Sequence, residues 1–173
     1  MLKMFSTQLS GLFKRIHEKG EFVFEDGARL IAQAAVSEGT IYLFGRNEME
    51  SVVLEATVGA EPLSHAKPFP SNFEEIQQAD RVIILSRYTN DEEAIECAKK
   101  LHGLGVPFVA ISSKVESEDD DLFELADVSI NLHLTKGLLP DEYGNRYGLP
   151  SSMAALFAYY GLKFTLDEIL DEL

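Results

Sequence analysis

The sequence predicts an α/β domain built on a parallel sheet, and three observations carry that reading. Short, unbroken apolar runs, Val82-Ile83-Ile84-Leu85 and Val106 to Ser112 above all, have the length and β-branched content of strands covered on both faces. Longer stretches between them repeat apolar residues at helical spacing, of which Ala94, Ile95, Ala98 and Leu101 make the clearest stripe. The two patterns alternate along the chain, and alternation of this kind implies βαβ units with helices on both faces of one sheet.

The elements follow in order. Leu2, Phe5, Leu9, Leu12, Phe13 and Ile16 line one side of an amphipathic helical arm over residues 1–20. Phe22 to Phe24 lead into a second helix with Leu30, Ile31, Ala34 and Ala35 on one face and Gly39 as its C-cap. Thr40 to Gly45 reads as a buried strand, and Asn47 to Val58 returns to helical spacing through Met49, Val52, Val53 and Ala56. A short strand is expected over Pro62 to Ala66, then a loop, then a brief helix opened by Asn72 with Glu75. Val82 to Ser86 is the third strand, followed by a helix over Asn90 to Leu104 capped by Asn90 and Glu93. Val106 to Ser112 is the fourth strand. Ser117 caps an acidic helix that reaches Ala126, and Val128 to Leu132 is the fifth strand. Pro150 starts a helix with Met153, Leu156, Phe157 and Tyr160 on its inner face, and Thr165 with Glu168 caps a separate final helix. The expected whole is a flavodoxin-like, three-layer αβα sandwich with a five-stranded parallel sheet and an N-terminal helical arm.

Length and charge narrow the function. The 173 residues suit a single domain over 1–173, and the lone Cys97, set in a helical stripe, allows neither a disulfide framework nor a thiolate metal site. No cofactor is indicated, and no His/Cys/Asp/Glu cluster has the spacing of a metal site. Fifteen basic residues against 29 acidic ones give a formal charge of -14. Nucleic acids and anionic membranes are bound by clustered Lys and Arg, so both are disfavoured as partners. No run of eighteen apolar residues and no cleavable leader pattern is present, so the expected location is cytoplasmic.

An acidic chain makes the position of its few cations informative. Ligands of parallel α/β sheets bind beyond the carboxyl ends of the strands. There the sequence places Gly45-Arg46-Asn47, Ser86-Arg87-Tyr88-Thr89-Asn90, Ser112-Ser113-Lys114 and, past the last strand, Lys136. Cations mixed with hydroxyls and amides are the groups that hold sugar and phosphate oxygens. The plain alternative is that such loops are polar anyway and the charges only solvate the edge. Asp91 to Glu93, at the start of the next helix, oppose a dianion unless Arg87 offsets them. The acid–base candidates are few: Glu48 and Glu55 after the first strand, His65, and His133 near the last strand. Each has an equally simple reading as a solvated or structural group. The polar loop over 136–149, with Arg146 as its best anion contact, is either a lid or partner surface or a turn-rich connector.

With these segments in place the sequence resembles the sugar isomerase (SIS) domain superfamily. It is similar to the phosphoheptose isomerase group and, more closely, to a small bacterial branch of SIS-like proteins. The resemblance runs in order through the helical arm, Ile41 to Gly45, Val82 to Ser86, Pro107 to Ser113 and Leu125 to Val128. It implies a five-stranded parallel sandwich that forms a homodimer or homotetramer through the arm and binds a phosphorylated sugar or similar small anion. The motifs depart from the family in two loops. Met49 stands where the first loop ends in a phosphate-binding Ser, and Ser86 to Asn90 lacks the Gly of the second. Phosphoheptose isomerases also carry a Glu on the helix after the first strand, which Glu55 approximates, and a His on the last core helix, where Leu149 to Leu162 has none. The leading expectation is therefore phosphosugar binding. The alternatives are an active aldose–ketose isomerase of the sedoheptulose 7-phosphate type and a non-catalytic regulatory interaction protein.

Overall fold

A computed structural model describes all 173 residues, Met1–Leu173. The chain opens with two helices, α1 (Leu2–Lys19) and α2 (Glu21–Ala35). Strand β1 (Ile41–Gly45) follows, then a 3-10 turn at Asn47–Met49, helix α3 (Glu50–Val58), the short β2 (Ala66–Pro68) and a second 3-10 turn at Phe73–Glu75. Next come β3 (Arg81–Tyr88), α4 (Glu92–Leu104), β4 (Phe108–Ser113), the one-turn α5 (Leu122–Leu125) and β5 (Val128–Asn131). A small hairpin, β6 (Leu139–Pro140) with β7 (Arg146–Tyr147), leads to the long closing helix α6 (Ser151–Asp171).

All five main strands are parallel, in the order β2-β1-β3-β4-β5. The expected three-layer sandwich is thus present. Because successive side chains on a strand point to opposite faces, an unbroken apolar run supplies both layers at once. Ile41, Leu43, Ile83, Leu85, Val109, Ile111 and Ile130 face a core of 26 buried residues under α1, α2, α3 and α6. Tyr42, Phe44, Val82, Ile84, Phe108 and Ala110 face a smaller core of 13 under α4 and α5. The larger layer explains why both terminal helices pack on one side of the sheet. Asp80, buried, ties the amino ends of β1 and β3 together by accepting from the amides of Thr40 and Gln77, both at 2.7 Å.

Several local expectations are corrected. Helix α2 ends at Ala35 with Val36 as its cap, so Gly39 is not the C-cap. Gly39 instead sits where a Cβ would lie 2.2 Å from the Ala79 carbonyl oxygen, in the tight approach that brings the chain into β1. Strand β2 begins at Ala66 rather than at Pro62, because pairing with Ile41, Tyr42 and Leu43 sets its register. Asp91, not Asn90, caps α4 through the amide of Ala94 (2.9 Å), which leaves Glu93 free to meet Arg46. The acidic stretch after Ser117 bends at Glu118 and Asp119 without forming a helix, and it is Asp121 that caps α5. Thr165 starts no new helix: its hydroxyl donates to the Gly161 carbonyl (2.8 Å), and α6 runs unbroken through it. The inner face of α6 is Ala154, Ala155, Ala158, Tyr159, Leu162 and Leu166, while Met153 is exposed and Phe157 and Tyr160 lie at the margin.

The arm divides along its length. Leu12 and Ile16 are buried and Phe13 stacks on Phe157 of α6 at 4.5 Å. Leu2 is 81% exposed, and Met1 and Met4 are also open. No helix is long and apolar enough to cross a membrane.

Candidate functional site

The sheet order places a switch point between β1 and β3. The connection from β1 leads to β2 on one side, whereas β3 continues to β4 and β5 on the other, so the two loops diverge and leave a crevice at the strand carboxyl ends. A cavity of about 110 Å3 lies there, lined by Phe44, Arg46, Asn47 and Glu48 from the first loop and by Leu85 to Tyr88, Asn90 and Asp91 from the second. Asn47 adopts a left-handed backbone conformation (φ 54°), which Asn tolerates better than most residues. That single turn carries the chain away from β1 and presents Glu48 to the crevice.

The charges of the crevice are paired with one another. Arg87 donates from Nε and Nη2 to the two carboxylate oxygens of Glu48 at 2.5 and 2.9 Å. Ser151, the first residue of α6, donates its hydroxyl to the same carboxylate at 2.8 Å. Hydrogen bonding from Arg87, reinforced by Ser151, outweighs partial burial and lowers the Glu48 carboxyl to about 2. Arg46 reaches Glu93 across the crevice at 3.2 Å, with its guanidinium 4.5 Å above the Phe44 ring.

The expected rim residues divide into two groups. Gly45, Arg46, Asn47, Ser86, Arg87, Tyr88 and Asn90 gather at the crevice or border it. Thr89, Ser112 and Ser113 are buried beneath the rim, and their polar atoms join backbone and side chains of the protein itself. Ser112 shares a hydrogen bond with Ser86 (2.9 Å), Ser113 accepts from the Leu134 amide (3.1 Å), and Thr89 accepts from the Val115 amide (3.2 Å). Lys114 is held by Asp121 at 2.7 Å, and Lys136 is exposed without an ion-pair partner. Met49, where the resemblance leads one to expect a Ser, is 1% exposed and belongs to the larger core.

The acid–base candidates do not converge. Only Glu48 faces the crevice. Glu55 accepts from the Tyr160 hydroxyl at 2.5 Å, on the α3–α6 face. His65 sits at the amino end of the sheet, where its carbonyl receives the Ile41 amide, so the whole strand length separates it from the rim. His133, half-buried, is lowered by burial and then by Lys19 and Arg15, which places it toward the end of α1. Arg146 is engaged inside the hairpin, donating to the carbonyls of Gly137 and Leu138 at 3.0 and 2.8 Å. Among all residues, no group of three or more His, Cys, Asp or Glu gathers as metal ligands do. Ser151 was not anticipated: it lies 103 positions from Glu48 in the chain, and only the packing of α6 brings it to the crevice.

Comparison with known proteins agrees with this architecture. The structure superposes on the phosphoheptose isomerase GmhA from Neisseria gonorrhoeae with a TM-score of 0.60 at 12% identity, over 97% of this chain and 100% of that one. The Vibrio vulnificus NanR protein complexed with ManNAc-6P gives 0.66 at 14% identity, over 96% of this chain and 63% of that one. A hypothetical protein of Methanococcus jannaschii, for which a 3-hexulose-6-phosphate isomerase function is inferred, gives 0.62 at 16% identity, over 99% and 89%. At such identities the likeness is one of fold: the protein has the sandwich of the SIS proteins. In sequence it is 45% identical over 172 residues to an uncharacterized protein of Bacillus subtilis (strain 168), YwjG, covering 99% of both chains. Residues 1–170 match the family described as a domain of unknown function, DUF2529, and the chain belongs to that family.

Proposed function

We propose that the protein binds a phosphorylated sugar or a related carbohydrate derivative in the β1–β3 crevice, as a binding domain and not as an isomerase. The observation that carries this reading is the position of the cavity: it lies at the switch point of the sheet and is lined by Arg46, Asn47, Ser86, Arg87 and Asn90. One fold neighbour is described in complex with the sugar phosphate ManNAc-6P, and another is a phosphoheptose isomerase, which favours the same class of ligand. An enediol isomerisation needs a base for the proton beside the carbonyl and an acid for its oxygen. Glu48, lowered to about 2 by Arg87, is a weak base, and neither histidine candidate lines the cavity beside it.

The protein acts in the cytoplasm, with no nucleic acid or membrane partner, as one unit over residues 1–173. The open apolar start of α1, with Leu2 81% exposed, is covered by a second copy in a homodimer or homotetramer. Isothermal titration with a panel of aldose and ketose phosphates tests the main claim. At least one member should bind, and Arg87→Ala should weaken it about tenfold or more. If no phosphosugar binds, or if Arg87→Ala binds as well as the parent, the crevice is not the site. Robust conversion of sedoheptulose 7-phosphate, followed by NMR, would replace binding with catalysis.

A further inference from the structure

We infer that Glu48 occupies the anion seat of the crevice, so that the protein carries its own carboxylate as an internal competitor of the ligand's oxyanion. The inference rests on the proposed ligand site and adds how that site is regulated. A planar guanidinium that donates two parallel bonds, together with a hydroxyl donor, is the arrangement that recognises a carboxylate or a phosphate. Arg87 Nε and Nη2 and Ser151 Oγ form such a set, and all three donors meet on the Glu48 carboxylate at 2.5 to 2.9 Å. Ser151 opens α6, a helix of 21 residues whose dipole favours an anion at its first turn. The seat is therefore built from two distant parts of the chain, the β3 end and the start of α6, and its occupant comes from a third, the turn after β1.

The geometry also shows what must move. The neighbouring cavity holds about 110 Å3, well under the roughly 300–1,000 Å3 of typical small-molecule sites. With Glu48 in place, Arg87 is neutralised and the space accepts only a fragment of a ligand. Glu48 stands on a short 3-10 turn, outside the regular hydrogen bonding of a long helix. When it swings out, two guanidinium donors and the Ser151 hydroxyl become available and the cavity enlarges by the volume of the carboxylate. An incoming phosphomonoester then takes the same donors. Asp91 and Glu93 stay committed to the α4 cap and to Arg46, so Glu48 is the carboxylate whose displacement changes the local charge.

Inorganic phosphate is the probe for the seat, and the phosphosugar panel is the probe for the function. In isothermal titration, Glu48→Ala should bind inorganic phosphate at least about ten times more tightly than the parent, with Glu48→Gln between them. The double variant Glu48→Ala/Arg87→Ala should lose that gain. Circular dichroism and the unfolding midpoint establish that each variant is folded. A folded Glu48→Ala that binds phosphate no better than the parent overturns the inference, as does a gain that survives removal of Arg87. The two readings separate cleanly. If the parent binds a phosphosugar and Glu48→Ala binds it no tighter, the function stands and the competitor role falls. If the variant gains phosphate but no phosphosugar binds to either form, the competitor role stands and the sugar reading falls.

Discussion

The two halves of the carboxyl rim have similar residues and opposite fates. At the β1–β3 end the polar groups surround an open crevice, and their pairings are between side chains at the surface: Arg87 with Glu48, Arg46 with Glu93. At the β4–β5 end the groups are turned inward and stitch loops together. Thr89 accepts the Leu122 amide on its carbonyl (2.9 Å) and donates its own amide to the Ser113 carbonyl (3.1 Å). Asn131 receives the amides of Lys114 and His133 at 3.2 and 2.9 Å. The difference follows from topology. Loops that diverge at a switch point meet only where long charged side chains reach across the gap, whereas loops from strands that progress in one direction lie side by side and join through backbone groups and short side chains. A polar side chain next to a strand end therefore opens to the crevice or is committed within the protein depending on which neighbouring strand it borders.

Removing Asp121 should break the closed half most severely. Its carboxylate, in a residue 3% exposed, accepts from Lys114 Nζ (2.7 Å) and caps α5 through the Phe123 amide (2.8 Å). Asp121→Ala should lower stability by about 2 kcal/mol in urea unfolding, from the lost cap and charge-assisted bond, while phosphosugar affinity stays unchanged. A loss of affinity comparable to that of Arg87→Ala would show that the two halves are one site.

The open half should reveal itself through pH. The folded Glu48 carboxyl, held at about 2 by Arg87, lies below the ordinary unfolded value of about 4.3. A depressed carboxyl contributes stability that is present above the unfolded value and is lost as pH falls toward the folded one. The parent should therefore lose this contribution between about pH 5 and about pH 2. In Arg87→Ala the dependence should flatten, with a difference of about 1 kcal/mol at neutral pH, because the guanidinium is half exposed and screened. Urea midpoints measured across that window check the sign; a difference that grows on acidification contradicts it.

Smaller changes refine the boundary between the halves. Ser112→Ala should cost at most about 1 kcal/mol, since Ser86 keeps the Tyr88 carbonyl as a partner, and should leave binding intact. Lys136→Ala should shift stability by less than about 0.5 kcal/mol and leave affinity within about twofold, as for most surface positions. A tenfold loss of affinity in titration would extend the site to the β5 end.

The strands were legible because burial on both faces writes itself as an unbroken apolar run, and Ile41 to Phe44 or Val82 to Leu85 has no other good reading. Helices were legible as stripes, but their ends were less so. Asn90 and Asp91 are both competent caps, and it is Asp91 whose carboxylate meets the Ala94 amide once the preceding strand has ended at Tyr88. Thr165 looked like a start because Thr-x-x-Glu is a capping pattern, yet a hydroxyl inside a helix is satisfied equally well by the carbonyl four residues back.

By itself, then, the sequence determined the parallel sandwich and the cationic loops at the strand ends, since these depend on local pattern and on residues that are neighbours in the chain. The tertiary structure decided which of those loops border the crevice. Glu48, Arg87 and Ser151 come from three segments, and no periodicity links them. Ser112, Ser113 and Thr89 have the same side-chain chemistry as any surface hydroxyl, and only their burial commits them to partners within the protein. Hydrogen-bonding groups are assigned by whatever partner lies within about 3 Å, and that distance is set by how α6 and the loops pack, which no local stretch of sequence encodes.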